Sequence, residues 1–163
     1  QLTGVSFAYG GYAGFFDQFP DGPGAYTIHQ PDHWLFEGTG FKYGDLLGEA
    51  NKIVNYECDG CEFEMRNGLP VPTCRDGTPD SFEILATAPA GLTLMEGSLR
   101  SASTAIHGEG SGEQIAQPGA AVLGLYKRGG TVVTCGCTSW SDGLGGDKAV
   151  AQITKNVLDR LSC

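Results

Sequence analysis

Two short cysteine pairs carry the most distinctive spacing in the chain, Cys58 and Cys61 as CxxC and Cys135 and Cys137 as CxC. Such spacings let two sulfurs from one turn reach one ion, so four thiolates from two pairs form a candidate tetrahedral zinc set. The chain's six cysteines, Cys74 and Cys163 among them, equally suit buried apolar thiols or, in an oxidising compartment, disulfides. A thioredoxin-like redox role needs CxxC at a helix N-terminus. Here the pair follows a strand-like run and encloses Asp59-Gly60, which predicts a turn.

Just ahead of that pair, IVNYE ends in Glu57. Read as a strand over 53–57, its period of two places Ile53, Asn55 and Glu57 on one face and Val54, Tyr56 and Cys58 on the other. A carboxylate at a strand end is where α/β folds gather functional groups. The blander reading is a solvated strand-end charge. The stretch PDHWLFEGTGFKYGDLLGE is the densest polar-aromatic patch. Pro31 and Gly38-Thr39-Gly40 predict loop and turn, so His33 and Glu37 do not share a helical face. Asp32 and His33 then either serve the chemistry or satisfy backbone groups of the loop. A class I amidotransferase-like nucleophile set would join Cys135 or Cys137 to His33 or His107. That elbow needs a helix directly after the nucleophile, whereas about ten residues separate TCGCTSW from any helical pattern.

The elements that position these residues are a sheet and few helices. In GGDKAVAQITKNVLDRLSC, the residues Ala149, Val150, Ile153, Val157, Leu158 and Leu161 recur at three-and-four spacing. This predicts a helix over 147–161 with Asp147 as N-cap. AAVLGLYK and GTVVTCGC, split by Arg128-Gly129-Gly130, predict an antiparallel hairpin. Strands are also expected at 25–29 and 82–87, and a short helical turn within YGDLLGEANK. The Gly/Ser-rich segment 97–119 reads as a mobile surface loop.

At 163 residues the chain fits one domain, and 26 glycines with 8 prolines fit a loop-rich enzyme-like domain better than a helical bundle. The net charge of -9 and the scattered basic residues make nucleic acid and anionic membranes poor partners. No apolar run reaches the roughly 20 residues of a membrane span, and a soluble, cytoplasmic chain is expected. QLTGVSF begins inside a strand-like pattern without a methionine, which predicts a processed chain or a piece of a longer protein.

In order along the chain, LTGVSFAYGG, PDHWLFEGTGFKYGD, IVNYECDG, GTPDSFEILATAP and VLGLYKRGGTVVTCGCTSWSDGL with ITKNVLDRL resemble the C-terminal portion of the large (beta) subunit of N,N-dimethylformamidase. The resemblance implies an α/β layered sheet domain related to the class I glutamine amidotransferase-like fold, with the final helix packed on the sheet. It implies an amidohydrolase with a mononuclear ferric site, Fe(III) held by tyrosines and a glutamate, acting on small N-substituted formamides. It gives Glu57 the role of acid/base glutamate, with Asp32 and His33 behind it. The family's His-x-Glu-Tyr motif lies upstream of the matched region and does not occur here. The iron ligands are therefore expected from the rest of a parent enzyme or from a partner subunit, in an oligomeric assembly. The rival expectation is a non-catalytic structural or interaction domain, stapled by zinc on Cys58, Cys61, Cys135 and Cys137.

Overall fold

Nine strands carry the structure, a computed structural model that describes residues 2–13, 24–91 and 118–162. They are β1 (Ser6–Tyr12), β2 (Tyr26–Ile28), β3 (Leu46–Leu47), β4 (Glu57–Gly60), β5 (Phe63–Arg66), β6 (Leu69–Pro72), β7 (Glu83–Gly91), β8 (Pro118–Lys127) and β9 (Thr131–Thr134). A 3-10 turn spans Trp34–Phe36, a short helix α1 spans Trp140–Gly143, and α2 spans Lys148–Leu161. Every strand pairing among the described residues is antiparallel. The α/β class and the C-terminal helix match expectation. The antiparallel pairings give the amidotransferase-like resemblance no support.

The longest pairing joins β7 to β8, from Glu83↔Leu125 to Gly91↔Pro118, and β8 turns back into β9 through Lys127↔Thr131. Gly129, at φ +70, supplies the left-handed position of that expected hairpin. On its other edge β7 meets β2 at Thr27↔Thr87 and β1 at Tyr12↔Gly91. β1 then pairs with β4. The chain leaving β9 returns to the free edge of β4, where the Asp59 N–H donates to the Gly136 carbonyl at 3.0 Å and the Thr138 N–H to the Glu57 carbonyl at 3.2 Å. Backbone pairing thus runs in a closed circuit through β1, β7, β8, β9, residues 136–138 and β4.

Apolar residues fill both faces of this sheet. Leu85, Leu123 and Leu125 join Tyr26, Ile28, Leu35, Leu47 and Ile53 in the main core, which Val150 and Ile153 of α2 cover. On the opposite face Ile84 and Val122 pack with Val5, Cys61, Phe82 and Tyr126. Double-sided burial explains why FEILAT and AAVLGL read as near-continuous apolar runs. Each fully buried Leu or Ile contributes about 1.5–3 kcal/mol. Asp147 caps α2 as its sequence predicts, its carboxylate accepting from the N–H groups of Ala149 (2.8 Å) and Val150 (3.2 Å).

Three local expectations are corrected. IVNYE is not a strand ending at Glu57: the strand begins there and runs to Gly60. Positive φ at Gly48 and Lys52 bends the preceding chain, so Ile53 and Val54 are buried consecutively and do not alternate. Asp59-Gly60 is accordingly strand, held by the ladder on both edges. YGDLLGEANK forms turns around the two-residue β3 instead of a helical turn. The segment expected as a loop over 97–119 lies outside the described residues up to 117, and Pro118 and Gly119 already belong to β8. The β5–β6 hairpin was not foreseen, although Asn67-Gly68, both at positive φ, is the strongest short-range hairpin signal in the chain.

Candidate functional site

Glu57 opens β4 directly opposite Tyr12 of β1. The Tyr12 ring lies 5.4 Å from that of Tyr56 and 5.3 Å, edge-on, from that of Phe7. Burial first, and then the Glu57 charge, raise the Tyr12 phenol, which favours its protonated form. Two residues on, Asp59 shares the half-buried face of β4 with Glu57. Its carboxyl is pushed up by partial burial and then by the charge of Glu57. Two carboxylates on one strand face, one inclined to keep its proton, are what proton transfer requires. The sequence reading missed both Tyr12 and Asp59. The i, i+2 spacing of Glu57 and Asp59 could have revealed the second. Tyr12 is brought in by a long-range pairing that leaves no local signal.

The opposite face of β4 points Cys58 into the main core at 1% exposure. Cys58 faces Cys137 across an isolated antiparallel bridge. The Cys135 and Cys137 thiols act on each other, drawing the Cys135 thiol down and pushing Cys137 up. Tyr26, wholly buried, donates its hydroxyl to the Cys135 carbonyl and touches the Cys137 thiol. Burial lifts its phenol well above the usual range, and burial pushes Cys58 up to about 12. The structure therefore gathers Cys58, Cys135 and Cys137 around Tyr26. It leaves Cys61 on the other side of the sheet among Val5, Phe82 and Val122, where burial also pushes its thiol up to about 12. One residue of CxxC thus joins CxC, and its partner does not.

His33 caps the 3-10 turn, its Nδ1 accepting from the Leu35 N–H at 3.3 Å, and Asp32 beside it is exposed. The segment is anchored to the start of β7, where the Gln30 side chain donates to the Ile84 carbonyl at 2.8 Å. Glu57 reaches β7 only through Tyr12, at Gly91. The two sites thus sit toward opposite ends of a nine-residue strand, on the order of 20 Å apart at about 3.3 Å per residue. The structure does not bring Asp32 or His33 to Glu57. Nor does a cleft of about 450 Å³ reach it, being lined by Trp34, Glu37, Gln152, Asn156, Asp159 and Arg160.

Among the described residues no three or more His, Cys, Asp or Glu side chains are arranged to hold a metal ion. The oxygen donors around Glu57 do not fit a ferric ligand set, because burial and the Glu57 charge favour the neutral phenol at Tyr12 whereas Fe(III) takes phenolate oxygen. No helix among the described residues is long and apolar enough to cross a membrane.

Comparison with curated proteins and comparison with solved structures each returned no match. A family model, N,N-dimethylformamidase beta subunit-like, C-terminal, matches residues 1–155. That span takes in every strand, the Glu57 site and the cysteine cluster, and with nearly the whole chain covered, the protein belongs to the N,N-dimethylformamidase beta subunit-like, C-terminal family.

Proposed function

We propose that this domain supplies an acid/base glutamate, Glu57, and adjoining walls to the iron-dependent hydrolysis of small N-substituted formamides by a larger enzyme, with the ferric ligands coming from outside this chain. The observation that carries the reading is the setting of Glu57: half-buried, in register with Tyr12 across the ladder, and on one strand face with Asp59. Family membership supports the substrate class.

In this reading the Glu57 carboxylate takes a proton from the water whose oxygen attacks the formyl carbon. As the C–N bond breaks, the same proton passes to nitrogen, and formate and the amine leave. General acid–base catalysis of this kind contributes about 10²–10⁴-fold. Tyr12, the register partner of Glu57, walls one side of the carboxylate, and Asp59 shares its strand face. The test is formate and amine release from a small N-substituted formamide by the complete enzyme, wild type and Glu57→Gln. The expected result is equimolar products from the wild type and a loss of about 10²-fold or more in the variant with its fold intact. Wild-type turnover in Glu57→Gln would overturn the proposal.

A further inference from the structure

Cys135, Gly136 and Cys137 leave β9 and run back along the edge of β4. Gly136 holds φ +52, and a Cβ there would lie 2.4 Å from the Val122 carbonyl oxygen, so the backbone between the two cysteines is fixed in a conformation closed to other residues. The Cys135 Sγ lies 3.7 Å from the Cys137 carbonyl oxygen, so the first thiol folds back over the second residue. Cys137 also faces Cys58. The flanking hydrogen bonds, Asp59 to Gly136 and Thr138 to Glu57, make 58/137 a non-hydrogen-bonded pair, the kind whose side chains approach most closely. Three sulfurs therefore meet, but Cys58 is sealed at 1% exposure while Cys135 and Cys137 are half-buried. Of these three, Cys135 and Cys137 are the ones partly open to a reagent from solvent. Cys137 is the one that faces Cys58 across the bridge, which leaves Cys135 the better placed to meet an incoming molecule.

We propose that Cys135-Gly136-Cys137 is a reversible dithiol–disulfide site that takes low-molecular-weight disulfides as its oxidant. The Cys135 thiolate attacks one sulfur of RSSR. A bond forms between Cys135 and that sulfur, the RS–SR bond breaks, and RS⁻ leaves with the proton released by Cys135. Cys137 loses its proton to the medium and attacks the Cys135 sulfur, which expels the second RS⁻, protonated in turn. In balance, two protein thiols and one RSSR give one protein disulfide and two RSH, and two electrons pass to RSSR. Excess RSH reverses both steps, as is usual for an exposed disulfide. Cys58 stays a thiol throughout.

The test equilibrates the full native chain in buffers of graded glutathione disulfide to glutathione ratio, followed by acid quenching, alkylation and peptide mass spectrometry. The expected result is loss of two hydrogens from the peptide holding Cys135 and Cys137, reversed by excess glutathione. In Cys137→Ser, glutathione should remain trapped on Cys135. The wild-type measurement stands even where the variant fails to fold. Full alkylation of Cys135 and Cys137 across the series, a bond found between Cys58 and Cys137, or glutathione on Cys74 alone would each overturn the proposal.

Discussion

Glu57 depends on two neighbours that act on it differently. Tyr12 is its register partner across β1 and β4, and the Glu57 charge helps to raise the Tyr12 phenol. Tyr12→Phe removes the hydroxyl beside the carboxylate and should leave the fold intact while lowering the complete enzyme's kcat about tenfold, with a smaller change in KM. Steady-state kinetics beside a circular dichroism spectrum checks this. Asp59 works by its charge. Its pKa is raised in the folded state, so the folded form holds the proton more tightly than the unfolded chain. The resulting stability is present below the unfolded value and is lost as pH rises through the folded one. At neutral pH the ionised side chain is a liability, and Asp59→Asn should raise stability there. Chemical denaturation of both forms at pH 7 measures it. Glu57 stood out in the sequence as a carboxylate at a strand end, and its acid/base role came from the family resemblance and not from a local signature. Its phenol partner was not, because 45 residues of chain separate Tyr12 from Glu57.

Among the elements, α2 was the most legible, since its period of 3.6 and its cap are written in one continuous stretch. Removing the cap with Asp147→Ala should cost about 1 kcal/mol, read as a lowered denaturation midpoint. The apolar stripe is only half used: Val150 and Ile153 are buried, while Leu158 is 60% exposed. In the 3-10 turn, one of the polar pair read as candidate chemistry, His33, is the cap, and Asp32 is exposed. Burial lowers the His33 pKa against its ordinary value of 6.5, outweighing the attraction of Glu83, while Arg160 and Lys127 add to the lowering. The folded state thus binds this proton more weakly than the unfolded chain. Stability is full above about 6.5 and falls as pH drops below it toward the folded value. His33→Asn keeps an acceptor for the Leu35 N–H and removes the titration, so it should flatten the loss of stability between about pH 7 and pH 5. Unfolding curves across that range decide it. β4 was misplaced in the sequence because Ile53 and Val54 are buried by a bend, and burial alone does not distinguish a bend from a strand.

Across the whole molecule, the closed circuit of backbone pairing is what places a carboxylate face and a thiol cluster on the two sides of one short strand. Closure draws β1, β4 and β8 so near one another that a Cβ on Gly60 would lie 2.1 Å from the Ala120 carbonyl oxygen and 2.6 Å from that of Tyr9. Gly60→Ala should therefore cost roughly 3 kcal/mol or more, well beyond an ordinary Gly→Ala change. Little of this was legible beforehand. Hairpins announce themselves through turn residues, but the return of residues 136–138 to β4 joins segments far apart in sequence and rests on glycines whose role is only to be small. The cysteine motifs misled for the same reason: spacing says that two sulfurs are near each other, not on which side of a sheet they lie. The central claim is that Glu57 moves the proton in amide hydrolysis. Its most direct test is the kcat of the complete enzyme carrying Glu57→Gln, with a small N-substituted formamide at saturation and unfolding shown to be unchanged. A fall of about 10²-fold or more is predicted, and a kcat equal to that of the wild type would contradict the account.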